Sequence, residues 1–192
     1  MSEFEPAFLN LLKHEGGFVN DIDDPGGATN WGISLRYLEN LVEQNTALLA
    51  SFDLDDDSII SPYDIQNMTE EAAKNIYRAE WWDRYGYGMI DNQILATKVF
   101  NLAVNIGPNQ AARILQEACQ RMSRTREVAI DGILGPETFT FINQLQPAQL
   151  RQLIEIFLEL AARYYHGIVN RRPSSKKFLN GWLNRLNDIM DV

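Results

Sequence analysis

Cysteine is almost missing from this chain: Cys119 is the single one in 192 residues, so no internal disulfide can form and stability has to come from packing. Cys119 falls in the apolar pattern of a helix expected over residues 110–122. No histidine lies near it in sequence, since the two present are His14 and His166. A packed, inert thiol is therefore expected rather than a nucleophile. Apolar runs of membrane-spanning length are also lacking, as are the basic start, apolar middle and small-residue cleavage site of a secretory signal. The expectation is a chain made in the cytoplasm without a signal peptide and with no membrane span. Basic charge is scarce too: 17 Lys and Arg stand against 26 Asp and Glu, a net charge of -9. That balance argues against nucleic acid as a partner and provides no general attraction to an anionic surface. What the chain does have is 45% apolar content, enough to bury a sizeable core in one domain or in two tightly joined lobes. A monomer is expected.

Helical periodicity runs almost throughout. Phe4, Phe8, Leu11, Leu12 and Glu15 recur at helical spacing, which places Glu15 at the last turn of a first helix that Gly16 and Gly17 stop. Ser34 is positioned to cap a helix over 34–49 with Leu35, Leu38, Leu41 and Val42 on one face. Thr69 caps the next, with Glu70 and Glu71 complementing its N-terminal dipole. Pro108 and Pro136 each suit a first helical turn. A long helix over 147–169 carries Leu150, Leu153, Ile154, Phe157, Ala161, Tyr164 and Ile168, and Arg171, Arg172 and Pro173 end it. Phe178, Trp182, Leu186 and Ile189 mark the last helix. Strands are expected only near residues 18–33, so the fold class is mainly α with a small β-hairpin.

Residues 15–33, E-G-G-F-V-N-D-I-D-D-P-G-G-A-T-N-W-G-I, put a carboxylate at the end of the first helix and follow it with a turn rich in glycine and acid. Partial burial favours the neutral, proton-donating form of a carboxylic acid, the state a general acid needs. Asp24 and Thr29 follow in a stretch that Pro25, Gly26 and Gly27 force into a turn. Two carboxylates and a hydroxyl facing one cleft are what glycoside cleavage requires: one acid protonates the leaving oxygen while the other supports attack at the anomeric carbon. Glu15 is read as the acid, Asp24 as the group that orients water or offsets positive charge, and Thr29 as a holder of that water. The competing reading is a helix C-cap followed by an acidic surface loop. Asp21 and Asp23 fit solvated or turn-forming roles, and they leave the second carboxylate open.

The E-G-G segment resembles the signature of glycoside hydrolase family 108 muramidases, the secretion-activator and phage-endolysin type within the lysozyme-like fold. The resemblance continues through T-E-E-A-A-K-N-I-Y-R-A-E-W-W-D at 69–83 and V-F-N-L-A-V-N-I-G-P at 99–108. There Asn101 stands where relatives often carry Asp. It extends to A-I-D-G-I-L-G-P-E-T at 129–138, which is similar to a peptidoglycan-binding module, and to F-L-N-G-W-L-N-R at 178–185. It implies a lysozyme-like helical fold with the hairpin next to the active site. The implied organisation is a catalytic lobe over 1–107 and a peptidoglycan-binding-like lobe over 108–192, packed as one unit. Glu15 is implied as catalytic acid, and similarity to phage-type lysozymes implies Asp24 and Thr29 as supporting residues. The implied activity is hydrolysis of the β-1,4 bond between N-acetylmuramic acid and N-acetylglucosamine in peptidoglycan glycan strands. No cofactor would be needed for the chemistry, and a holin-type lesion or dedicated export would deliver the protein to the periplasm. A lytic transglycosylase and a non-catalytic protein for wall binding or export remain the alternatives.

A second signal lies in an acidic loop. Asp53, Asp55, Asp57, Ile59, Ser61 and Asp64 occupy positions 1, 3, 5, 7, 9 and 12 of residues 53–64, the register of an EF-hand calcium loop, with Ile60 at the apolar eighth position. Asp53, Asp55, Asp57, Asp64 and the Ile59 carbonyl are candidate ligands of a structural Ca2+. Ser58 replaces the usual Gly, and Asp64 is shorter than the usual Glu. The competing reading is an acidic surface loop with helix-capping aspartates. Trp31, Trp81, Trp82, Tyr85 and Tyr87 offer rings to stack on sugar faces, although core burial competes for each. Trp31, Tyr85 and Tyr87 are the favoured substrate contacts, together with the amides of Asn30 and Asn105. The D-G-I-L-G-P turn at 131–136 suits either tight backbone geometry or substrate contact.

Overall fold

Caps and prolines start the helices. In the computed structural model, which describes residues 1–20, 26–123 and 128–188, the first helix is α1 (Phe4–Leu12). A two-stranded antiparallel hairpin, β1 (Thr29–Asn30) and β2 (Ile33–Ser34), precedes α2 (Leu35–Gln44), whose N-cap Ser34 accepts from the Tyr37 N–H at 3.3 Å. Then come α3 (Leu49–Phe52), α4 (Pro62–Asn67) and α5 (Glu70–Tyr77), the last with Thr69 accepting from the Ala72 N–H at 3.2 Å. The second half holds α6 (Gln93–Ile106), α7 (Pro108–Ser123), α8 (Pro136–Asn143), α9 (Pro147–Arg171) and α10 (Lys176–Asn187). The fold is mainly α, as its periodicity predicts, and the hairpin falls where strands are expected.

Three elements depart from the sequence reading. α1 ends at Leu12, and the turn goes on through three-residue bonds from His14 N–H to Leu11 O and from Glu15 N–H to Leu12 O, so Glu15 stands just beyond the helix. The helix expected over 34–49 stops at Gln44. Asn45 leaves helical geometry there, its N–H closing on Leu41 O and Val42 O, as suits a residue that hydrogen-bonds its own backbone better outside helices. After Tyr77 the chain widens into a π-helix over Arg78–Asp83.

The contacts divide the chain into two compact units, Leu11–Tyr77 and Met1–Asn10 with Arg78–Val192. In the first, Leu38, Ile65, Ala73 and Tyr77 supply buried side chains. The second is built on α6, buried along its length from Leu95 to Ala103, as a helix surrounded by others must be. Phe100 meets Trp82 edge-on at 5.5 Å between centroids and Tyr87 at 5.8 Å, and Phe4 stacks on Phe8 at 5.6 Å. α7 packs on α6 and α9, and α9 packs on α10. Polar groups on α6 are satisfied: the Lys98 ammonium donates to the carbonyls of Leu186 (2.8 Å) and Asp188, and Asn101 donates to Asn10 Oδ1 at 2.7 Å. Desolvation lowers the Lys98 pKa, and the Asp188 carboxylate opposes that shift. Cys119 is fully buried, and burial pushes its thiol up to about 12, as an inert packed cysteine requires. Phe100→Ala should cost ~3–5 kcal/mol by emptying the aromatic cluster, read as a lower denaturation midpoint.

Candidate active site

The hairpin turn fixes the surroundings of Glu15. Thr29 pairs with Ser34 and Asn30 with Ile33, leaving a two-residue turn of Trp31 and Gly32 with φ of +54° and +76°. Two positive φ values in sequence are the mark of the tight hairpin turn that matches strand twist. Trp31 tolerates this because it is held at two points: its indole N–H donates to Met68 O at 3.0 Å, and its carbonyl accepts from the Tyr77 hydroxyl at 3.2 Å. Gly32 is required for a second reason. A Cβ there would lie 2.5 Å from the Tyr77 hydroxyl and 2.6 Å from Glu15 Oε2. A carboxylate and a phenol thus converge on the bare face of one glycine, with Glu15 half-buried and Tyr77 buried.

The other expected site residues divide. Thr29 is half-buried and bridges Val19 through reciprocal backbone bonds of 2.7 and 2.8 Å. Asp24, with Asp21 and Asp23, lies outside the described residues. Asn30, expected to contact substrate, is 6% exposed, and its amide donates to Ile65 O at 3.0 Å and Gln66 O at 3.3 Å, tying the hairpin to the end of α4. Asn105 is exposed, and its Oδ1 accepts from the Tyr165 hydroxyl at 2.9 Å. Tyr85 is half-buried, whereas Tyr87 is 1% exposed with its ring packed among Trp82, Tyr85 and Phe100. A ring covered in that way has no face left for a sugar. Tyr77 belongs to no catalytic motif in the sequence; its signal there is a place in the buried stripe of α5 with Ala73 and Ile76.

In the acidic loop, Asp53, Asp55 and Asp57 bring carboxylate oxygens within 4.8 Å of one another. Asp53 accepts from the N–H groups of Asp57 (3.1 Å) and Ser58 (2.8 Å), and the exposed Ile59 donates its N–H to Asp57 Oδ1 at 2.8 Å. Ser58, where an EF-hand carries Gly, has φ of +67°, so the backbone makes the left-handed turn in spite of the side chain. Asp64 takes another role. It is 1% exposed and accepts from the N–H groups of Leu54 (2.7 Å) and Ser61 (2.8 Å), closing a capping box on α4. Desolvation, then the negative charges of Asp57 and Asp64, raise the Asp55 pKa. A divalent cation would relieve that crowding, so the donor set fits a hard cation bound by oxygen.

The D-G-I-L-G-P turn is held from below by the buried Gln116. Its amide donates to Asp131 Oδ1 (2.7 Å) and Ile133 O (2.9 Å), and its Oε1 accepts from the Gly132 N–H at 2.9 Å. The bond from the Ile133 N–H, then that from Gln116, hold the Asp131 carboxyl below its ordinary range.

Two family models match in succession: one described as Glycosyl hydrolase 108 over residues 8–107, and one described as Predicted Peptidoglycan domain over residues 110–187. The first spans just over half of the chain, and the chain belongs to glycosyl hydrolase family 108. With the peptidoglycan module that follows, it is a glycoside hydrolase of the peptidoglycan-hydrolase class. Among solved structures, the one titled "Structure of Brucella abortus SagA" is similar over 96% of this chain and 96% of that one, with a TM-score of 0.63 and 21% identity, a shared fold. No curated protein matches. No described helix is long and apolar enough to cross a membrane.

Gly32→Ala tests the geometry. A left-handed non-glycine residue costs ~1–3 kcal/mol, and the added methyl collides with both oxygens. Lower thermal stability and a loss of peptidoglycan hydrolysis in the protein that remains folded are expected.

Proposed function

We propose that this family member is a lysozyme-type N-acetylmuramidase that hydrolyses the β-1,4 bond between N-acetylmuramic acid and N-acetylglucosamine, with Glu15 as general acid. The observation that carries the reading is the convergence of the Glu15 carboxyl and the Tyr77 hydroxyl on Gly32, within the stretch that the glycosyl hydrolase model matches. In the mechanism, the Glu15 proton passes to the glycosidic oxygen as the bond to the anomeric carbon breaks. Asp24 deprotonates a water that Thr29 helps to hold, and that water adds to the opposite face of the sugar. This course inverts the anomeric centre and calls for carboxyls roughly 6.5–9.5 Å apart, against about 5 Å for direct attack. Tyr77 acts as a positioning residue, and the half-buried Trp31 and Tyr85 offer sugar contacts. The chain works as a monomer on glycan strands, with 1–107 as the catalytic region and 108–192 as the wall-binding region, after export from the cytoplasm.

Glu15→Gln keeps the shape and removes the proton. Clearing of purified peptidoglycan by the folded variant should fall by ~10²–10⁴, and activity near that of the native chain would overturn the assignment. Mass spectrometry of the products should find reducing muramic ends. Ends of the 1,6-anhydro type would identify a lytic transglycosylase instead.

We also propose that the acidic loop binds a structural Ca2+ through Asp53, Asp55 and Asp57, with the Ile59 carbonyl, and with Asp64 bracing the loop from its cap. The left-handed Ser58 supports this, since that turn wraps alternate oxygens around one centre. Added Ca2+ should raise the thermal midpoint, by mass action on the folded state, and Asp55→Asn should remove the rise. Because the Asp55 pKa is raised, the fold favours its protonated, uncharged form, and this contribution is lost as pH rises through that pKa and the carboxylate forms. The benefit of Ca2+ should therefore grow with pH across the carboxylate range. A midpoint indifferent to Ca2+ would remove the site.

A further inference from the structure

A cleft of about 260 Å³ is lined wholly by residues of the unit formed by Met1–Asn10 and Arg78–Val192. Tyr85, Gly86 and Tyr87 wall one side, Pro108 and Asn109 at the start of α7 another, and Gly132, Ile133 and Leu134 of the D-G-I-L-G-P turn a third. The cleft therefore joins residues from both family-model stretches. Gly132 is needed here: its φ is +84°, and a Cβ would lie 3.0 Å from the Arg113 Nε and 3.1 Å from Asn109 O. The π-helix over Arg78–Asp83 leads into the wall, and such wide turns gather at functional sites.

Two features of the cleft point to a ligand. Ile133 is 68% exposed and lines both this cleft and a second one of about 390 Å³ beside Gly135, so an apolar ridge separates two hollows. The Tyr87 hydroxyl is buried at the wall with no hydrogen-bond partner in the protein among the described residues. Such a group costs ~1–3 kcal/mol until something satisfies it. Burial, reinforced by the Tyr85 phenol, raises its pKa, so it stays a neutral donor.

We propose that this cleft is a second glycan subsite, which takes an uncharged N-acetylated sugar of the peptidoglycan strand against Tyr85 and Ile133, with a sugar hydroxyl or amide meeting the Tyr87 hydroxyl. The inference rests on the peptidoglycan-hydrolase reading and adds where the strand is held outside the Glu15 region. Charge selects the sugar over the stem peptide. The charged wall residues have partners of opposite sign, Asp83 with Arg78 at 3.7 Å and Arg84 with Glu80 at 2.8 Å, while Tyr85, Pro108, Ile133 and Leu134 supply uncharged surface for a ligand. Sugar rings offer C–H faces to such walls.

The test uses the full chain carrying Glu15→Gln, so that bound material is not cut. Calorimetry measures an N-acetylglucosamine tetramer and, separately, the free stem peptide. The tetramer should bind, Ile133→Asp should weaken it at least tenfold, and Tyr87→Phe should weaken it about tenfold without lowering the thermal midpoint, since no hydrogen bond within the protein is lost. Ile133→Asp, on an exposed ridge, keeps the test decisive if Tyr87→Phe fails to fold. Tetramer binding indifferent to both changes, or peptide binding alone, overturns the subsite. The release of reducing ends by the native chain is scored separately, so the hydrolase reading stands or falls by itself.

Discussion

The missing side chain of Gly32 is the constraint around which the Leu11–Tyr77 unit is arranged. The two-residue turn needs a left-handed residue at that position, and the bare Cα is what lets the Glu15 carboxyl and the Tyr77 hydroxyl come so close. The same hydroxyl secures the carbonyl of the strained Trp31, while the Trp31 indole and the Asn30 amide fasten the hairpin to the carbonyls at the end of α4 and just after it. The place of the acid is thus set by the backbone geometry of the turn, which bonds to α5 and to the end of α4 hold in position.

Much of this was legible in the sequence, and the reason is local. Ser34, Thr69, Pro108 and Pro136 start helices because caps and prolines act within one turn, and the stripe of Phe4, Phe8 and Leu11 marks a core face that the structure buries. Glu15 could be singled out because a carboxylate followed by two glycines is a pattern along the chain. Tyr77 could not. Periodicity says that it is buried, but its hydroxyl acquires a task only when a hairpin 46 residues earlier folds against it. Asn30 and Tyr87 show the converse: an amide and a ring look free in sequence until the tertiary structure supplies carbonyls for one and neighbouring rings for the other. Ser58 and Asp64 are intermediate. The register of the acidic loop was visible, whereas the left-handed serine and the use of Asp64 as a helix cap follow from how the loop closes on α4.

The charge distribution fits a protein that recognises its target by contact rather than by its overall field. With a net charge of -9, close approach has to be rewarded by shape and by neutral hydrogen bonds. Gln116 illustrates the principle on the other unit: one buried amide satisfies three backbone or side-chain partners and so keeps the D-G-I-L-G-P turn rigid.

Lys98 bears on how the molecule comes into being. Its ammonium, in the middle of α6, closes on the carbonyls of Leu186 and Asp188, and Asn10 reaches the Asp188 carboxylate from the opposite end of the chain. While the ribosome is still at work those acceptors do not exist, and a cation in the half-made core has to remain hydrated. The continuous stretch Leu11–Tyr77 can settle as it emerges, but the Lys98 contacts of the other unit need residues 186–188 to be made. Vectorial synthesis thereby orders assembly: the region bearing the acid comes first, and the clasp on Lys98 forms only once Leu186 and Asp188 are in place.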